Sequence, residues 1–135
     1  MSIRQVILTV GAVLTTAGAA LVAIAQPAAA DSFACQTAGG SQVCINVTAS
    51  GVNADIEVTS DSNFHSPTVA AIQCNGSGTS CGQIAASSDV GHLWLVFATS
   101  VKPYSAGHTY KAVASWTDPA GVRHVAVSTP LACCP

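Results

Sequence analysis

The stretch His108–Thr129 reads HTYKAVASWTDPAGVRHVAVST, and the fold turns on how it is read. Two runs, HTYKAVASW and VRHVAVST, flank TDPAG. Proline presets φ near the start of a tight turn, and glycine accepts positive φ at its end. Both runs alternate with a period of two and are rich in β-branched or aromatic residues. A β-hairpin is therefore expected. With Asp118 to Gly121 as the turn, Thr117 faces Val122, Ala114 opposes Val125 and Ala112 opposes Val127. Tyr110, Ala112, Ala114, Trp116, Val125 and Val127 then share the core face, because that set holds the large apolar groups. Lys111, Val113, Ser115, His124 and Ala126 share the other face.

Working upstream, the same texture continues. SQVCINVTAS places Val43, Ile45 and Val47 at period two, and ADIEVTS places Ile56 and Val58 likewise. TVAAIQC and CGQIAAS flank the polar loop NGSGTS, residues 75 to 80, and GHLWLVFATS is a near-continuous apolar run. No stretch beyond residue 30 has helical apolar spacing with a cap. Many short strands separated by turn signals predict an all-β, antiparallel β-sandwich stabilised by disulfides. Within the apolar run, Leu93, Leu95 and Phe97 share one parity and are expected in the core. His92, Trp94 and Val96 share the other and form a candidate binding strip, of the kind that marks an interaction surface when it is open.

The segment VKPYSAGHTYKAVASWTDPAG, residues 101 to 121, resembles the end of an immunoglobulin-like or fibronectin type III-like sandwich. That resemblance implies that Tyr110, early in the penultimate strand, reaches back to the preceding corner, with Pro103 before it. Residues 108 to 116 contain no cysteine and residues 53 to 60 no tryptophan, so the antibody-type disulfide and its tryptophan are absent. The architecture carries no activity with it.

The chain begins MSIRQVILTVGAVLTTAGAALVAIAQPAAADSFACQ. Arg4 supplies a positive start, Val6 to Ala25 is apolar and uncharged, and Ala28 and Ala30 form an A-x-A site. This is the pattern of a secretory signal peptide over residues 1–30, cut before Asp31. A membrane anchor is the competing reading, but no Lys or Arg follows the run until Lys102. Residues 31–135 are then a single secreted domain with no remaining membrane span. Of the four basic residues Arg4 leaves with the leader, so three face all six acids, a net charge of −3 with histidine neutral. Nucleic acid is excluded as a partner, since it requires clustered Lys and Arg.

All six cysteines follow the leader: Cys35, Cys44, Cys74, Cys81, Cys133 and Cys134. An even count in a short exported chain reads as a disulfide framework, and the spacings do not suit zinc. Cys74 and Cys81 bracket a polar loop and are expected to pair. Cys35 and Cys44 are expected to join the terminal Cys133 and Cys134, because closing a loop of about 100 residues stabilises by about 4.7 kcal/mol, against about 2.5 for a short one.

GTSCG, residues 78 to 82, matches G-x-S-x-G with Ser80 as nucleophile, and Asp89 and His92 follow in hydrolase order. The motif lacks its strand–turn–helix context. His65, His92, His108 and His124 form no ligand-spaced pair, so no metal or cofactor is expected. Asp55 and Glu57 alternate along one strand face, where paired carboxylates could serve glycoside chemistry or simply be solvated. The leading expectation is a secreted, non-catalytic protein that binds an extracellular protein or glycan, with inhibition of an extracellular hydrolase as a specific version. A small serine hydrolase using Ser80 is the alternative, and a structural surface or matrix protein a third class.

Intact mass of the exported protein should place its N-terminus at Asp31. A product that retains residues 1 to 30 contradicts the leader reading.

Overall fold

A computed structural model describes residues 31–60 and 62–132. Residues 1–30, Asp61, Cys133, Cys134 and Pro135 lie outside the described residues. Ten strands follow one another: β1 Ser32–Ala38, β2 Ser41–Thr48, β3 Gly51–Val58, β4 Phe64–Cys74, β5 Cys81–Ser88, β6 Leu93–Trp94, β7 Val96–Ala98, β8 Thr109–Thr117, β9 Arg123–Val127 and β10 Leu131–Ala132. Among the described residues there is no helix.

The strands form two antiparallel sheets. The first runs β1-β2-β3-β7. The second runs β10-β8-β4-β5, with β6 continuing along the edge of β4 and β9 along the edge of β8. β2 faces β8, β3 faces β4 and β8, and β1 lies over β9 and β10, so the sheets stack as the layers of a sandwich. The inward residues are those that period-two reading selects in β2 and β8. Val43, Ile45 and Val47 meet Tyr110, Ala112, Ala114 and Trp116, joined by Val52, Ala54, Ile56, Phe64, Val69 and Ala71. Each fully buried large apolar side chain contributes about 1.5–3 kcal/mol.

The β1–β2 turn is Gly39-Gly40 with φ of 51° and 75°. Two successive positive φ values define the hairpin turn whose twist matches its strands. A side chain at Gly39 would also strike the His124 ring of the opposite sheet. This tight turn sets the register that places Cys35 opposite Cys44, with Cα atoms 4.1 Å apart and a disulfide between them. The expected link from Cys35 and Cys44 to the end of the chain is therefore corrected. Loop entropy favours a long closure only when geometry leaves the choice open. Here the two sulfurs project side by side from one face of adjacent strands, at the close spacing of narrow antiparallel pairs. The expected Cys74–Cys81 bridge is present at the mouth of the β4–β5 hairpin.

The last hairpin forms, but one residue out of the expected register. Gly121 takes φ of 85° and its N–H donates to the Asp118 carbonyl, while the Asp118 N–H donates to Val122. The loop is thus three residues long, a type I turn followed by a left-handed glycine. Ala114 pairs with Ala126 and Trp116 with His124. A one-residue slip exchanges the faces of a strand. Ala126 is buried and His124 stacks on Trp116 with centroids 5.6 Å apart, whereas Val125 and Val127 point to solvent.

The chain returns from β7 to β8 through residues 99–108. Thr99 exchanges hydrogen bonds with Ala54, and Lys102 with Val52 in both directions. Gly51 makes room for this approach, since a Cβ there would strike the Lys102 carbonyl. The Tyr110 hydroxyl, fully buried, then accepts the Ser105 N–H at 2.7 Å and lies 3.0 Å from Gln73 Oε1 and 3.4 Å from the Ser105 carbonyl. The reach-back expected of Tyr110 is present.

Tyr110→Phe should lower stability by about 1–3 kcal/mol, the cost of leaving such partners without the hydroxyl. Urea unfolding measures this, and an unchanged midpoint means that the hydroxyl does not hold the corner.

Candidate functional site

The candidate site is the segment that leaves β5 and crosses between the sheets. It begins at Asp89, whose N–H donates to the Pro67 carbonyl at 3.1 Å. The Asp89 carboxylate gathers the next residues around itself. Oδ1 accepts the Val90 N–H at 2.7 Å, and Oδ2 accepts the Trp94 indole N–H at 2.8 Å with His92 Nδ1 at 2.9 Å. Gly91, at φ of 83°, lets the chain turn inside this knot. Partial desolvation pushes the Asp89 carboxyl up, but the bonds from Val90, Trp94 and His92 outweigh it and hold the group below its ordinary value.

Beyond the knot, Leu93 and Trp94 pair with His65 and Phe64 as β6, in the second sheet. Val96 to Ala98 pair with Glu57 to Asp55 as β7, in the first sheet. Leu95 is the crossing residue, and its carbonyl accepts the Val58 N–H at 3.0 Å. The parity expected for this run is therefore corrected. Alternation holds only within one continuous strand, and this run changes sheets in its middle. Trp94 turns toward the core and meets Phe97 edge-on, with centroids 4.9 Å apart. Leu93 and Leu95, expected inside, are 67% and 57% exposed.

Of the expected binding residues, His92 and Val96 are exposed and Trp94 is half-buried. Trp94 anchors the segment from within. Its outward side chains are Val90, Leu93, Leu95 and Val96, and Val90 is 79% exposed. Sequence reasoning missed Val90, Leu93 and Leu95. The signal available was Asp89-Val90-Gly91, a turn pattern that separates β5 from the apolar run.

Ser80 lies elsewhere. Asn75 organises its loop: Asn75 Oδ1 accepts the Thr79 and Ser80 N–H groups at 2.9 and 3.3 Å, and the Asn75 N–H donates to the Ser80 carbonyl at 2.8 Å. The length of β5, about 25 Å for its extended residues, separates Ser80 from Asp89 and His92. Those two meet each other but not Ser80. A different histidine, His108, shares an open hollow of about 400 Å³ with Ser80 along the Cys74–Cys81 bridge. His108 Nδ1 lies 3.1 Å from the Ala106 carbonyl, an arrangement that leaves Nε2 as the acceptor when Nδ1 carries the proton.

His65 bonds Ser66, and His124 Nε2 lies 2.7 Å from Asp118 Oδ2. The His124 bond, with the N–H groups of Val122 and Ala120, holds the Asp118 carboxyl below its usual range. Among the described residues, no three His, Cys, Asp or Glu side chains converge as a metal site. Comparison of the chain with family models, curated proteins and solved structures finds no match.

A carboxyl lowered on folding stabilises above its unfolded pKa of about 3.9, and that contribution is lost as pH falls through the lower folded value. The Trp94 indole N–H resonance should therefore shift with a midpoint below about pH 3.9, the ordinary aspartate value. A shift centred above pH 3.9 contradicts the carboxylate knot.

Proposed function

We propose that the protein is an exported, non-catalytic immunoglobulin-like domain that binds an extracellular protein through residues 90–96. The observation that carries this reading is the concentration of outward apolar side chains on one pinned segment. Val90, Leu93, Leu95 and Val96 are each more than half exposed. Scattered exposed apolar residues are ordinary, whereas a cluster is the mark of an interaction surface. The segment is also pre-organised. Asp89 ties it at one end, Trp94 packs beneath it, and Leu95 is bonded to β3. A contact already held in shape loses less entropy on docking.

Two disulfides are typical of proteins outside the cell, where thiols are oxidised. The bond from the Ser105 N–H to the Tyr110 hydroxyl supports the immunoglobulin-like resemblance, in which a tyrosine braces the corner before its strand. Inhibition of an extracellular hydrolase is one way such a surface would act. A second reading, a small hydrolase, is favoured by one observation: Ser80 and His108 share a hollow.

The test is capture of extracellular proteins on the immobilised chain, followed by calorimetry with the purified partner. Leu93→Ser and Leu95→Ser together should weaken that complex at least tenfold, about 1.4 kcal/mol. Each should alter stability little, as surface substitutions do. Undiminished affinity removes this segment as the contact. Ester or peptide hydrolysis lost in both Ser80→Ala and His108→Ala would establish the second reading instead.

A further inference from the structure

The outer face of the four-stranded sheet carries its side chains in rows. Phe33, Asn46 and Asn53 stand opposite one another across β1, β2 and β3. The next outward row holds the Cys35–Cys44 bridge and Asp55, and the one after it holds Gln42 and Glu57. Directly paired residues project to the same side, so these groups share one surface. Phe33 is 73% exposed. It is the one Phe, Tyr or Trp side chain among the described residues that stands in solvent; the others are buried or packed against the core.

The polar groups around this ring are uncommitted. Gln42, Asn53 and Glu57 make no side-chain hydrogen bond to any described residue. Asn46 Nδ2 donates to Asp55 Oδ2 at 2.6 Å, which orients that carboxylate. By contrast, several polar groups elsewhere are bonded within the protein: Asn75 to its loop, Asp89 to Trp94, Asp118 to His124 and Arg123 to Ser66 and Ser115. Burial raises the Asp55 carboxyl above its ordinary value; the Asn46 bond opposes this and Glu57 adds to it. A partly desolvated carboxylate gains when a hydroxyl donates to it.

The chemistry selects the ligand. A flat apolar ring accepts the C–H face of a sugar, and carboxylates and amides meet its hydroxyls as acceptors and donors. The rows contain no Lys, Arg or His, and two carboxylates repel sulfated or phosphorylated groups. From the Phe33 row to the Glu57 row is about 13 Å along the strands, the length of a short oligosaccharide.

We propose that this face is a binding platform for a neutral oligosaccharide, with Phe33 stacked on one sugar ring and Asn53, Asp55 and Glu57 bonding its hydroxyls. The platform stands independently of the protein contact at residues 90–96, which it adjoins where Val96 pairs with Glu57.

The purified protein, disulfides intact, is applied to immobilised cellohexaose, chitohexaose, mannohexaose and xylohexaose, and to heparin. At least one neutral hexasaccharide should be retained in preference to heparin. Phe33→Ala should weaken it at least tenfold, Phe33→Tyr should restore it, and Glu57→Gln should weaken it several-fold. Thermal stability should change little in each variant, and the Leu93→Ser, Leu95→Ser protein should bind sugar as the parent does. Preference for heparin, unaltered binding by Phe33→Ala, no retention of any neutral hexasaccharide at millimolar concentration, or loss of sugar binding in the Leu93/Leu95 variant would each overturn the proposal.

Discussion

A single hydroxyl secures the passage from one sheet to the other. Tyr110 belongs to β8, whose side chains supply the centre of the core, and its oxygen holds the Ser105 N–H that belongs to the incoming loop. The same oxygen lies against Gln73 of β4, so one atom ties corner, β8 and β4 together. A phenol at this depth without partners would cost the desolvation of its oxygen; with them, it locates the loop at a fixed height on the strand. Lys102, bonded to Val52 of β3 through its backbone, and the Tyr110 hydroxyl on β8 thus pin the two ends of the crossing, each satisfying a backbone group of the loop that would otherwise lose its partner.

The two disulfides do a local job. Each bridges facing residues of a hairpin, Cys35 to Cys44 and Cys74 to Cys81. Short closures of this kind remove less chain entropy than a link between the ends would. They hold register in strands that give the core little apolar bulk: β1 contributes Ala34 and Ala38 to its margin, and β5 contributes Ala85 with the partly buried Ile84. A strand with little apolar bulk specifies its pairing weakly, and a covalent bridge supplies what the side chains do not.

The two candidate surfaces arise from one topological event. At Leu95 the chain leaves the β4 edge and joins β3. That step turns the flanking aliphatic residues outward, with Trp94 held in beneath them. It also places Val96 at the margin of the outer face that carries Phe33, Asn53, Asp55 and Glu57. A protein contact and a saccharide platform would then lie side by side on a rigid frame. Such a division suits a protein that brings a partner to a glycan surface, since two linked contacts raise effective concentration without new affinity at either.

Local chemistry alone made the strand content, the β2 and β8 core faces and the Cys74–Cys81 bridge legible, while the Tyr110 reach-back followed from the resemblance of residues 101–121 to an immunoglobulin-like or fibronectin type III-like corner. Period-two alternation, turn residues and a short cysteine loop act between near neighbours, so their effects are written in adjacent residues. The tertiary structure decided the rest. The positive φ of Gly121 lengthened the last turn and inverted β9, because strand parity flips with each residue of register. The Gly39-Gly40 turn brought Cys35 to Cys44, overriding the entropy that favoured distant closure. The change of sheet at Leu95 turned Leu93 and Leu95 out and Trp94 in, since alternation has no meaning across a crossing. Phe33 and Glu57 stand far apart in sequence and came to one surface only through the pairing of three strands.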